Sequence, residues 1–175
     1  MPLIEEGKKA PMFTLPDQSG EKRSLKAALE EGPVVLYFYP KDDTSGCTKQ
    51  ACAFRDMLPA FGEAGVTVLG VSPQDGESKA KFAGKHGLNF SVLADPDAKV
   101  CEKYGVWQEK SMYGRSYMGA VRTTYIIDRD GKVAKRFDKV KVPGHAERVL
   151  EVIEVMEGVD QQPDGGGKPS RRRTR

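Results

Sequence analysis

Residues 34–39, VVLYFY, are six consecutive apolar side chains, and Pro40 follows them. Successive side chains of a strand point to opposite faces, so a strand with one wet face alternates apolar and polar residues. An unbroken apolar run of this length reads as a strand covered on both faces. Proline has no N–H to give to a ladder, so the strand stops there. A doubly covered strand needs a layer on each side, which places a sheet in the middle of the fold. The run is the longest fully apolar stretch in the chain. It is far short of the ~20 residues of a membrane span.

The rest of the chain supplies the layers. Residues 13–15 and 22–25 flank Asp17-Gln-Ser-Gly20, a turn signal for a short hairpin. Residues 25–31 suit a short helix ended by Gly32. Residues 47–64 have helical spacing, with Ala51, Phe54, Leu58 and Phe61 on one face and Gly65 after them. Pro59 falls inside this stretch and is expected to kink or shorten it. Residues 66–72 read as a second buried strand, 77–86 as an amphipathic helix closed by Gly87, and 90–93 as a short strand. A helix opened by Asp95 or Asp97 follows over 97–104, then a third long strand over 120–128. Asp130-Gly131 turns that strand into 132–137, and a closing helix covers 145–157. Strand–helix alternation ended by a hairpin predicts an α/β fold, a mixed central β-sheet flanked by helices.

At 175 residues the chain fits one domain plus a tail. The boundary is expected at residue 157. Residues 158–175 hold one Val, no other aliphatic or aromatic residue, five basic residues and two acidic ones, a composition that reads as disordered. Residues 1–157 carry 23 basic and 23 acidic groups, so the whole net charge of +3 sits in the tail. The globular part therefore gives no electrostatic reason to bind nucleic acid or an anionic membrane. Residues 171–175 leave open a weak, salt-sensitive polyanion contact, with no aromatic interleaved for stacking. Three cysteines do not make a disulfide scaffold, and the N-terminus lacks a basic-then-apolar signal pattern. Both point to a reduced, cytoplasmic setting. His86 and His145 have no partners at metal spacing and read as capping or surface residues, and Cys101 reads as core packing.

The stretch from Tyr39 to Cys52, YPKDDTSGCTKQAC, runs from the end of the central strand into a helix. In open α/β sheets, ligands bind off the carboxyl ends of strands. Thr44 and Ser45 are good helix caps, which puts Cys47 in or beside the first turn. Unpaired N–H groups and the positive end of the helix dipole there lower a thiol pKa. A thiol at its ordinary pKa is only about 3% thiolate at pH 7, and making one mostly thiolate takes about 3 kcal/mol. A helix terminus supplies at most about 2 kcal/mol, so a second cation is required. Arg122, the only basic residue of the third long strand, is the candidate. Cys47 and Cys52 are five apart, which on an intact helix separates their Cα atoms by about 8.6 Å. Disulfides rarely span more than about 7 Å, so any bond between them requires the first turns to unwind. Residues 112–118 read equally as a flap over such a site or as a surface loop. Lys41, Asp42 and Asp43 read as a solvated loop, and Tyr39, Phe54 and Trp107 as apolar walls.

The segment Pro40-x-x-x-Thr44-x-x-Cys47 followed by Gln50-Ala-Cys52 resembles the peroxiredoxin active-site motif, in the bacterioferritin comigratory protein or peroxiredoxin Q branch. The resemblance runs over about residues 3–157. It takes in FTLPDQSGE, FRD at 54–56, VLGVSPQ, the VCEKYGVW stretch ending at Trp107, and the R-x-x-x-x-I-D-x-x-G-K run from Arg122 to Lys132. It implies a thioredoxin-like fold and thiol peroxidase activity on hydrogen peroxide and organic hydroperoxides, with no metal or organic cofactor. By position, Cys47 would be the peroxidatic cysteine, Cys52 the resolving cysteine, and Thr44 and Arg122 the activating pair. Pro40, Tyr39 and Gly46 would line the substrate pocket. A Cys47–Cys52 disulfide would be reduced by thioredoxin or a similar dithiol protein, and the branch is often monomeric. Its members often have Pro where this chain has Ser45, and the tail has no counterpart in the resemblance. A peroxide sensor that reacts once and signals through its disulfide is the other reading of the same cysteines.

Overall fold

A computed structural model describes residues 2–161, with side chains through Glu157. The doubly covered run forms β3 (Val34–Phe38), every residue of it buried. It is the middle strand of a five-stranded sheet in the order β5 (Ser91–Ala94), β4 (Thr67–Ser72), β3, β8 (Thr123–Ile127), β9 (Val133–Phe137). β3 and β4 are parallel, as are β4 and β5, whereas β8 runs antiparallel to both β3 and β9. The sheet is therefore mixed, as the alternation of segments predicts.

The two faces of β3 open two separate cores. Val34, Leu36 and Phe38 pack with Leu25 of α1 (Leu25–Glu31), Val100 of α4 (Lys99–Lys103), Tyr104 and Tyr125. Val35 and Tyr37, continued by Tyr39, pack with Cys47, Ala51 and Phe54 of α2 (Ser45–Glu63). Phe82 of α3 (Gly76–His86) and Val149 and Ile153 of α5 (His145–Gln161) complete that side. No helix of the described residues is long and apolar enough to cross a membrane.

Several expectations shift. α2 begins at Ser45, two residues before Cys47, and Pro59 does not end it. Proline at 59 deprives the Arg55 carbonyl of its helical donor, and Asn89 Nδ2 donates to that oxygen instead at 3.2 Å. β8 starts at Thr123, so Arg122 lies just before the strand. α5 continues past Glu157 to Gln161. The basic stretch 171–175 and the rest of the expected tail from 162 lie outside the described residues. The hairpin expected near the start forms as β1 (Thr14–Pro16) antiparallel to β2 (Lys22–Ser24). Residues 107–120 hold a second ribbon, β6 (Trp107–Met112) antiparallel to β7 (Arg115–Ala120), with Met112, Tyr113, Tyr117 and Met118 exposed. Sequence missed it because neither strand is buried enough to show an apolar period.

His145 is not at the surface. It is 2% exposed, its Nε2 lies 2.8 Å from Thr124 Oγ1, and its ring meets Phe54 and Phe137 edge-on. Burial, with Arg148 and Arg122 adding to it, lowers its pKa to about 4. The unfolded chain, with an ordinary histidine near 6.5, thus binds more protons than the folded one between about pH 4 and 6.5. Stability is fully present above that window and falls as the pH drops through it, by at most about 3 kcal/mol. In denaturant titrations from pH 7 to 4, His145→Gln is expected to flatten this slope. An unchanged slope would assign it to other groups.

Candidate active site

The site forms where β3 ends, on the face of the second core. Thr44 is the N-cap of α2, so Ser45, Gly46 and Cys47 supply its first three N–H groups, none with an acceptor inside the helix. The first such bond runs from Thr48 N–H to the Thr44 carbonyl at 2.8 Å. Cys47 is 1% exposed.

Arg122 meets this turn from the start of β8. Its Nη2 lies 3.4 Å from Cys47 Sγ, and its Nη1 donates to Gln50 Oε1 at 2.7 Å. Gln50, one turn after Cys47, is also buried. Arginine only donates, so the amide atom facing Nη1 has to be the oxygen. One planar guanidinium thus spans two side chains of a single helical turn and has its orientation fixed by Gln50. Gly46 makes room for it, because a Cβ there would sit 3.2 Å from Arg122 Nη2. A second cation stands nearby on β6. Lys110 Nζ donates to the Ala120 carbonyl at 3.0 Å, and burial and the Arg122 charge lower its pKa while Cys47 opposes them.

The other predicted residues fall as follows. Tyr39 is buried, with its hydroxyl donating to Asp42 at 2.6 Å. The Pro40 carbonyl accepts from Gln74 Nε2 at 3.1 Å. Thr44 is exposed and its hydroxyl donates to the Lys41 carbonyl at 2.9 Å, so the oxygen keeps only its lone pairs for a ligand. Cys52 is half-buried and lies on the uninterrupted helix, with its thiol free, as are those of Cys47 and Cys101. Cys101 is buried in the other core, where burial and the Asp95 carboxylate push its thiol far up. Asp42 is not solvated: it is buried and paired with Lys79. His86 is a surface partner, 2.9 Å from Asp43. Gln50 stands in the motif with no role assigned to it; its bond to Arg122, like the Lys79–Asp42 pair, joins residues distant in the chain, and Lys110 meets Ala120 across the unforeseen β6–β7 ribbon.

Residues 6–136 match the model of the AhpC/TSA family. The chain belongs to that family. It is 48% identical over 147 residues to a putative peroxiredoxin bcp of Coxiella burnetii, covering 84% of this chain and 97% of the relative. It is 46% identical over 147 residues to peroxiredoxin Bcp of Escherichia coli K12, covering 84% of this chain and 94% of the other. Among solved structures, the Xanthomonas campestris bacterioferritin comigratory protein, described for its alkyl peroxide reduction activity, superposes with a TM-score of 0.81 at 34% identity. That match covers 87% of this chain and 99% of the other. The fold is thus thioredoxin-like and the protein is a peroxiredoxin of the Bcp and peroxiredoxin Q type, a thiol peroxidase that takes a peroxide and a thiol reductant.

Proposed function

We propose that Cys47 is the peroxidatic cysteine, Cys52 the resolving cysteine, and a thioredoxin-type dithiol protein the reductant of hydrogen peroxide and organic hydroperoxide turnover by the monomer. The observation that carries this reading is the Arg122 guanidinium 3.4 Å from Cys47 Sγ at the opening turn of α2. Helix terminus and guanidinium both favour negative charge on the sulfur. The Cys47 thiolate attacks one peroxide oxygen and the O–O bond breaks. The sulfur becomes a sulfenic acid, and the other oxygen leaves as water or an alcohol once protonated. Arg122 stabilises the charge on the departing oxygen. The Thr44 oxygen, its own proton committed to Lys41, accepts the peroxide O–H.

Cys52 then attacks the sulfenic sulfur, an S–S bond forms and water leaves. On the continuous helix the pair stands about 8.6 Å apart at Cα, so closing it unwinds the opening turns of α2. The external dithiol reduces the bond by exchange and is itself oxidised to a disulfide. The alkyl peroxide reduction described for the Xanthomonas protein supports organic hydroperoxides as substrates here.

The deciding experiment is NADPH-coupled peroxide consumption with thioredoxin and thioredoxin reductase, using wild type and Cys52→Ser. Wild type is expected to turn over repeatedly. Cys52→Ser is expected to consume one equivalent of peroxide at a rate within about twofold of wild type, because Cys52 takes no part in the first step. It should then stop with Cys47 as a sulfenic acid that a diketone probe traps. Continued turnover by Cys52→Ser would give resolution to another thiol. A wild type that reacts once and is not recycled would favour a peroxide sensor.

A further inference from the structure

Two consecutive acidic residues in the loop before Cys47 leave it in opposite directions, and both end on α3. Asp42 points inward. Its carboxylate accepts from Tyr39 Oη at 2.6 Å, Ser78 Oγ at 2.7 Å and Lys79 Nζ at 2.9 Å, and the Lys79 ammonium also donates to Ser72 Oγ. The Asp42 N–H donates to Gln74 Oε1 at 3.0 Å. The Lys79 and Asp42 side chains are 0% and 3% exposed. Asp43 points outward, to Lys85 Nζ at 3.0 Å and His86 Nε2 at 2.9 Å. Its φ of +61° lies in the left-handed region, which non-glycine residues rarely adopt without being held there.

A buried ion pair is weak evidence for stability, because an apolar pair of the same volume often does as well. What it adds is geometry. Apolar contacts tolerate sliding, whereas a desolvated ammonium and carboxylate have to stay within hydrogen-bond reach. We propose that the Asp42–Lys79 pair is a positioning device for Cys47, locking residues 40–44 to α3 so that the opening turn of α2 winds beneath the Cys47 sulfur. This rests on the reading above, in which oxidation of Cys47 needs that turn wound and disulfide closure needs it unwound. The pair favours the wound form. Loosening it therefore acts oppositely on the two steps, slowing attack on peroxide and quickening closure. A role in stability alone would not separate them.

The test is stopped-flow oxidation of the full chain, reading the second-order step from its dependence on peroxide and closure from the peroxide-independent phase. The variants are Ser78→Ala and the double change Asp42→Asn with Lys79→Met. The double variant leaves no lone buried charge, and Ser78→Ala removes one hydrogen bond to Asp42 and keeps the protein testable if the double variant does not fold. The double variant is expected to lose about tenfold in the first step, since small misplacements of reacting groups are costly. It should close about threefold faster, as the population of the unwound form rises. At high peroxide it should accumulate less sulfinic acid on Cys47. Ser78→Ala should move both rates in the same senses by less. Rates unmoved, or both slowed together, would overturn the clamp. A wild type with no Cys47–Cys52 closure would instead overturn the reading of Cys52, and with it the clamp's part in closure.

Discussion

Cys47→Ser is expected to abolish peroxide turnover, leaving a rate at least about 10³-fold below wild type. Two factors set the size. One is a cation at the reacting sulfur, the Arg122 guanidinium 3.4 Å from Cys47 Sγ. Preorganised donors on a departing oxyanion contribute about 10²-fold or more. The other two cysteines supply neither. Cys101 is fully buried on the opposite side of the sheet, its thiol pushed up by burial and by Asp95. Cys52 is a turn and a half further along α2, whereas the Arg122 guanidinium is taken up by Gln50 and Cys47. Serine keeps the helix, and its hydroxyl can accept from the Arg122 Nη2 that faces the sulfur, so the variant should stay folded and lose about 1–3 kcal/mol at this buried position, a readout that separates lost chemistry from lost fold. Initial rates of peroxide loss, read with a chemical dithiol as well as thioredoxin, check this. Retention of more than a tenth of the wild-type rate would place the nucleophile elsewhere.

The central strand and the cysteine loop were legible because each is a local signal. Six apolar residues closed by Pro40 can be little else than an inner strand, and the spacing of Thr44, Cys47 and Cys52 belongs to one stretch of chain. Arg122 was reachable by an energetic argument, since a helix terminus alone falls short of the charge stabilisation a reactive thiol needs. What stayed hidden depends on distant pairing. Gln50 and Lys79 are ordinary polar residues on amphipathic helices, and only the packing of Arg122 and Asp42 against them shows why they are buried. Pro59 read as a kink or a shortening of the helix because Asn89, which takes over the stranded carbonyl, is thirty residues away. His145 opens a helix and reads as exposed until Phe54 and Phe137 are seen closing around it.

Arg122→Met is the complementary expectation, because it removes the charge and leaves the sulfur. The guanidinium touches Cys47 through Nη2 and is oriented through Nη1 by Gln50, so one side chain serves both the thiolate and the oxygen that departs. Deleting a single preorganised donor at such a point typically costs about 10²- to 10³-fold in rate. The same loss is expected here in the second-order step with hydrogen peroxide. Arg122→Lys discriminates between charge and shape. An ammonium keeps the charge but lacks the planar fork needed to hold Gln50 and Cys47 at once, so it should recover only about tenfold of the deficit. If charge alone mattered, Lys would restore most of the rate. If Arg122 were only a structural partner of Gln50, Met and Lys would lower stability together and leave the rate per folded molecule within a fewfold of wild type. Stopped-flow rates normalised to the folded fraction decide among these. The ordering wild type, Lys, Met, spread over about three decades, is what a guanidinium acting on the reacting atoms requires.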